Sequence, residues 1–229
     1  MRIFARSCAR RLGLISALVQ IRSWIPGQRR SYEAGFDAEL RRAIRPGDCV
    51  WDVGANLGLY TERFADQAGP TGIVHAFEPA PSCFAALQAR TKNLPNVVRH
   101  ELALGRAEAS LPMQLAADPL GATHSLAAPP TGGETKLVRV TSGDLFRRTE
   151  QIRVPNVIKI DVEGFEEDVL LGLETTLADA TCRAILCEVH FGIFEKRNDR
   201  YAPARIERLL RKHGFSLKWT DASHVAATR

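Results

Sequence analysis

The spacing of apolar residues changes period repeatedly along this chain, and each change marks a predicted strand or helix. Val50, Trp51 and Val53 form a short β-prone run that stops at Gly54, and residues 72–79, GIVHAFEP, form a second that Pro79 ends. Val157, Ile158 and Ile160 read as a third, buried strand, and Ala184 to Gly192 supplies another apolar run. From Gly164 to Leu177 the period becomes helical, with Val169, Leu170, Leu173 and Leu177 on one side. A helix over Tyr32 to Ile44 leads into the first strand. A last helix, Pro203 to Lys212, precedes the runs Phe215 to Trp219 and His224 to Ala227, which predict a closing antiparallel hairpin. Strand and helix signals that alternate in this way predict an α/β fold.

Two stretches depart from the alternation. Residues 116–134 are rich in Pro, Gly and Asp and predict a loop, while Leu111 to Leu115 and Lys136 to Val140 could pair across it as an inserted hairpin, giving an insertion over about 111–140. At the N-terminus Arg10 and Arg11 precede the apolar run Leu12 to Ile21, which is too short to span a bilayer and has no small-residue cleavage site. Leu14, Leu18 and Ile21 fall on one side of a helix, so residues 1–30 read as a basic amphipathic segment suited to a partner or an anionic membrane surface, or else as a disordered leader.

Charge sharpens this division. The chain of 229 residues carries a formal +5, yet seven arginines precede its first acid, Glu33, so the remainder carries −2. Residues 31–229 therefore form one domain with no basic face for nucleic acid. Five scattered cysteines without a CxxC pair indicate neither a disulfide framework nor a zinc site, and they fit a reducing, cytoplasmic setting.

The strand ends carry the candidate chemistry. Asp52 interrupts the first apolar run, where a buried carboxylate needs a partner: a ligand, or the backbone N–H groups of the turn Gly54-Ala55-Asn56-Leu57-Gly58. That turn lacks the GxGxxG spacing that admits a pyrophosphate, and Asp52 with Asn56 suits a polar, partly cationic ligand such as S-adenosylmethionine better than a dianionic one. Glu78 ends the second strand at the distance from the glycine turn at which an acid reaches a ribose diol. Lys159, Asp161 and Glu163 mark the change of period after the third strand, and Glu188 and His190 end the next. A polar strand terminus before a helix would also account for the first group.

The phrases DVGANLGLYT, HAFEP, ALG (Ala103 to Gly105), KIDVEGFEEDVL and CEVH together resemble the FkbM family of S-adenosylmethionine-dependent methyltransferases over roughly residues 30–229. The resemblance implies a Rossmann-like, seven-stranded, mostly parallel sheet of the class I methyltransferase type, with helices on both faces. It also implies methylation of a hydroxyl on a sugar or secondary metabolite, so a small-molecule or glycan acceptor. Carried over by position, Asp52, Gly54, Asn56 and Gly58 would line the methionine end of the cofactor, Glu78 would hold the ribose, and Leu102 with Ala103 would lie near the adenine. Asp161 would stand near the transferred methyl with Glu163 and His190 beside it. Apart from the resemblance, the insertion over about 111–140 could shape an acceptor pocket, with His124 and Ser125 as its candidate polar groups. A neutral His190 is the preferred base, with Asp161 positioning cofactor and acceptor, because a carboxylate would need its pKa raised by burial or by Glu163. No metal is expected, since Asp161 and Glu163 would face opposite ways on a continuing strand. Two other readings stay open: a nicotinamide-dependent oxidoreductase on the same βαβ scaffold, and a non-catalytic cofactor-binding module.

Overall fold

The computed structural model describes residues 29–115, 126 and 135–229. Three helix–strand pairs open it: helix α1 (Arg29–Ala43), β1 (Cys49–Val53), α2 (Leu59–Ala68), β2 (Ile73–Phe77), α3 (Pro81–Thr91) and β3 (Val97–His100). Next come β4 (Ala103–Gly105), β5 (Ala109–Gln114) and β6 (Thr135–Ser142), then α4 (Gly143–Thr149), β7 (Val157–Ile160), α5 (Glu166–Leu171), α6 (Glu174–Ala178) and β8 (Ala184–Glu188). The chain closes with α7 (Phe191–Lys196), α8 (Ala202–Lys212), β9 (Ser216–Trp219) and β10 (His224–Thr228). Seven strands form the main sheet in the order β3-β2-β1-β7-β8-β10-β9. It is parallel except for β10, which runs antiparallel to β8 and β9, so the closing hairpin is present. The inserted hairpin is present too, as β5 paired antiparallel with β6, but β4 joins it to make a separate three-stranded sheet.

Alternation along the strands puts apolar side chains on both faces of the main sheet. Trp51, Val53, Ile158, Ile160 and Ile185 point one way, against Phe146, Leu170, Leu173 and Ile206 of the later helices. Val50, Val74, Val157 and Leu186 point the other way, against Phe36, Leu40 and Phe64 of α1 and α2. Strand order reverses between β1 and β7, and the crevice beyond their carboxyl ends is where open α/β sheets bind ligands.

The helix expected over Gly164 to Leu177 is two helices. The first ends at Gly172, where a Cβ would sit 1.9 Å from the Gly105 carbonyl oxygen, so the edge of β4 leaves room there for glycine alone. Asp144 restarts the chain as α6 by accepting hydrogen bonds from Thr175 N (2.7 Å), Thr176 N (2.9 Å) and Thr176 Oγ1 (2.6 Å). Of the N-terminal segment expected over 1–30, residues 1–28 lie outside the described residues and Arg29 and Arg30 begin α1; His124 and Ser125 lie outside the described residues too. Among the described residues no helix is long and apolar enough to cross a membrane, and Cys49, Cys83, Cys182 and Cys187 are free and buried.

Candidate functional site

The carboxyl ends of β1, β2 and β7 bring Asp52, Glu78 and Asp161 to one edge, as their positions in the sequence anticipate. A cavity of about 290 Å³ opens there, with Gly54, Asn56, Glu78, Asp161, Glu163 and His190 among its polar lining. Ala103, Leu104, Met113, Leu126 and Phe165 give it an apolar wall. Leu102, expected beside Ala103, is instead buried in the core, and Leu104 lines the cavity in its place.

Asp52 and Gly58 do not line the cavity. Asp52 is fully buried on the α2 face of the sheet, where register places it opposite Lys159 of β7. Its Oδ2 accepts a hydrogen bond from Thr61 Oγ1 at 2.6 Å, and its Oδ1 lies 3.3 Å from Lys159 Nζ. The same ammonium donates to the Gly54 carbonyl at 2.8 Å and lies 3.4 Å from Asp161 Oδ2. Burial would lower the Lys159 pKa, but Asp52 and Asp161 outweigh it and hold the lysine cationic. The partner that Asp52 requires is thus a lysine inside the protein, and the pair ties the glycine turn to the end of β7.

The glycines of that turn serve the protein's own packing. Gly54 and Gly58 have φ of 78° and 79°, and Asn56 shares the left-handed region at 49°. A Cβ on Gly54 would fall 1.8 Å from the Asp161 carbonyl oxygen, and one on Gly58 would meet Leu87 Cδ1 at 2.8 Å. The turn's open side is Asn56. Its N–H donates to Glu78 Oε2 at 2.8 Å, while its side-chain Oδ1 is buried without a hydrogen-bond partner among the described residues. Ala80 N donates to Glu78 Oε1, also at 2.8 Å, so two turns orient this carboxylate at the cavity wall. Burial raises the Glu78 pKa to about 7 despite those two N–H groups.

Beyond β7 the strand has ended, and the objection that Asp161 and Glu163 face opposite ways no longer holds. Glu163 sits at φ 49° in the turn, and both carboxylates line the cavity. His190 faces them: its Nε2 is 3.3 Å from Glu163 Oε2 and 3.8 Å from Asp161 Oδ1. Its Nδ1 meets Glu166 Oε1 at 2.6 Å, and Glu166, at the start of α5, is itself fully buried. Burial alone would lower the His190 pKa, but Glu166, Glu163 and Asp161 drive it well above the ordinary value. The carboxylates around it thus favour the imidazolium form of His190 over the neutral form expected of a base. Burial, reinforced by Asp161, Glu188 and Glu166 and opposed by His190, pushes Glu163 up to about 7.

Asp161, Glu188 and His190 offer ligand atoms within 4.8 Å of one another, a spacing open to a small cation. The protein's own cations already answer these groups. Lys159 stands beside Asp161, and His224 lies 3.3 Å from Glu188 Oε2. Burial would raise Glu188, but His224 and His190 hold it at about 2. Sequence reasoning passed over Glu166, Thr61 and His224, and it read Lys159 only as part of a polar terminus. The one signal for Glu166 was its place in the acid run that follows Glu163 at a helix start.

Comparison with known proteins gives the family. Residues 52–217 match the family model for the methyltransferase FkbM domain. A 31-O-demethyl-FK506 methyltransferase FkbM of Streptomyces tacrolimicus is 32% identical, over 81% of this chain and 82% of that protein. The hexuronic acid methyltransferase AglP of Haloferax volcanii is 30% identical over 65% of this chain, and the match spans only 59% of AglP. The crystal structure of a methyltransferase FkbM from Methylobacillus flagellatus shares the fold, with a TM-score of 0.53 and 14% identity over 82% of this chain and 49% of that one. On the strength of the matched domain, this chain belongs to the FkbM family of methyltransferases.

Proposed function

We propose that the protein transfers a methyl group from S-adenosylmethionine to a hydroxyl of a sugar or secondary metabolite. The observation that carries this reading is the charge of the cavity: Glu78, Asp161, Glu163 and Glu188 line it, and among its described lining residues His190 is the one cation. A sulfonium and an ammonium are welcome in such a site, whereas the pyrophosphate of a nicotinamide dinucleotide is not. The unpartnered Asn56 Oδ1 supplies an acceptor for the ligand's polar end, and satisfying it recovers a desolvation cost of about 1–3 kcal/mol. Glu78, fixed by Asn56 N and Ala80 N, is placed to accept from a ribose diol, and the apolar wall of Ala103, Leu104 and Met113 suits an adenine. When bound, the sulfonium supplies an activated methyl carbon.

The chain's own part is to hold that carbon in line with an acceptor oxygen and to receive the hydroxyl proton. The name of the FkbM relative, a 31-O-demethyl-FK506 methyltransferase, supports an oxygen acceptor, and that of AglP, a hexuronic acid methyltransferase, supports a sugar-derived one. A cytoplasmic reaction fits the supply of the methyl donor. The test is incubation with methyl-labelled S-adenosylmethionine and a panel of neutral glycosides, uronic acids and macrocyclic alcohols, read by mass spectrometry. A labelled ether is the expected product. Binding of the donor without label in any acceptor would favour a non-catalytic module, and binding of NADH in preference to it would favour the oxidoreductase.

A further inference from the structure

We propose that the acceptor is an uncharged polyol, a neutral sugar, and that the site excludes the same molecule once it bears a carboxylate, phosphate or sulfate. The proposal rests on the methyltransferase reading and deepens it by naming the acceptor's charge. Strand order divides the cavity in two. Asn56 and Glu78 follow β1 and β2 and take the donor under that reading. On the other side of the point where strand order reverses, Asp161 and Glu163 follow β7, Glu188 ends β8 and His190 lies just beyond it. The acceptor therefore meets the β7–β8 end.

That end offers three carboxylates and one ring. Glu188 is fixed by β10: register pairs it with His224, whose Nε2 lies 3.3 Å from Oε2, and Ser223 Oγ donates to Oε1 at 3.4 Å. The ring of His190 is flanked by acids on both nitrogens, Glu166 Oε1 at 2.6 Å from Nδ1 and Glu163 Oε2 at 3.3 Å from Nε2. It can pair with an incoming anion only by giving up an acid of the protein. The other cations near these groups do not line the cavity. Lys159 and His224 are buried, Arg197 donates to the Gly164 carbonyl, and Arg106 lies 3.5 Å from Asp168. Residues 116–134 of the insertion contain no Lys or Arg. An ionised carboxylate accepts hydrogen bonds and offers none, so this end takes the O–H donors of a polyol and sets lone pair against lone pair when the acceptor is an anion.

The experiment uses the full chain, methyl-labelled S-adenosylmethionine and hexopyranosides in matched triplets, each as the methyl glycoside, its uronate and its uronamide, at about pH 8, where the carboxylates are ionised. The glycoside and the uronamide should be labelled, and the uronate should fall at least about 10²-fold below the uronamide in kcat/KM. The uronamide keeps the uronate's shape, so the gap reads charge and not size. In Glu188→Gln the gap should narrow by about tenfold, a change that a merely structural Glu188 would not produce, since damage to the fold lowers all three acceptors alike. The assays are run with EDTA and with Mg²⁺, because a cation held by Asp161, Glu188 and His190 would welcome an anion. A uronate labelled as well as its uronamide under either condition, or a gap unchanged in Glu188→Gln, would overturn the proposal and leave methyl transfer standing. With no triplet labelled the polyol is wrong as well. Label in the macrocyclic alcohols of the wider panel then keeps the methyltransferase reading, and no label anywhere sinks it.

Discussion

Replacing Lys159 with Met tests whether the glycine turn is held by charge from within. The substitution removes the ammonium that lies 3.3 Å from Asp52, 3.4 Å from Asp161 and 2.8 Å from the Gly54 carbonyl. Asp161 can turn to solvent, but Asp52 cannot: it has no exposed surface, and Thr61 Oγ1 would be the hydrogen bond left to it. Breaking a buried ion pair by deleting one partner costs about 3–5 kcal/mol, because the other charge stays desolvated. For a chain of this size each kcal/mol lowers Tm by about 2–4 °C, so the expected drop is about 6–20 °C. The assay is urea and thermal unfolding of Lys159→Met, Asp52→Asn and the double variant at neutral pH. The double variant leaves no orphaned charge, so it should be more stable than the sum of the single losses by roughly 2 kcal/mol. A single-variant cost under about 1 kcal/mol, or strict additivity, would show that Asp52 and Lys159 are not coupled and refute the reasoning.

Two further outcomes concern pH. The folded Glu163 pKa of about 7 lies above the ordinary 4.5, so its protonated form favours the fold. The stability tied to that proton is fully present below pH 4.5 and is lost as pH rises through 7. Glu163→Gln should therefore be more stable than the parent at alkaline pH by roughly 1–3 kcal/mol, with the gap closing toward acid in urea titrations; a gap independent of pH would contradict this. His75 and His100 stack with centroids 5.3 Å apart and share a 3.0 Å contact, and burial lowers each to about 4. Their depressed pKa gives stability that is present above the unfolded value of 6.5 and lost as pH falls toward 4. The double variant His75→Phe/His100→Phe should gain several kcal/mol on the parent over that fall, on the order of 1.4 kcal/mol per pH unit for each histidine that charges. Parallel stability curves would rule the effect out.

The sheet edge was legible because strand period and strand-end acids are local signals: Glu78 and Asp161 stand in the cavity wall where their runs end. The role of Asp52 was not legible. Its partner Lys159 becomes its neighbour only when β1 pairs with β7, and nothing in either segment states that register. The contact between His190 and Glu166 was hidden in the same way, since Glu166 reaches the ring from another element, 24 residues away. Helical spacing across Gly164 to Leu177 was correctly read but incompletely informative. Apolar periodicity continues through Gly172, where the helix breaks against the Gly105 carbonyl of a different strand, a neighbour that no local pattern states. Gly54 shows a related limit, because a glycine that admits a ligand and one that admits a neighbouring carbonyl have the same letter.

The central claim is that the acids at the ends of β2 and β7 grip a sulfonium nucleoside. Calorimetric titration of the full chain with S-adenosylmethionine, repeated on Glu78→Ala, tests it most directly. The claim requires saturable binding at one site, weakened at least about tenfold, or ~1.4 kcal/mol, by the loss of the Glu78 carboxylate. No heat with the parent protein, or an affinity unchanged in Glu78→Ala, would contradict it.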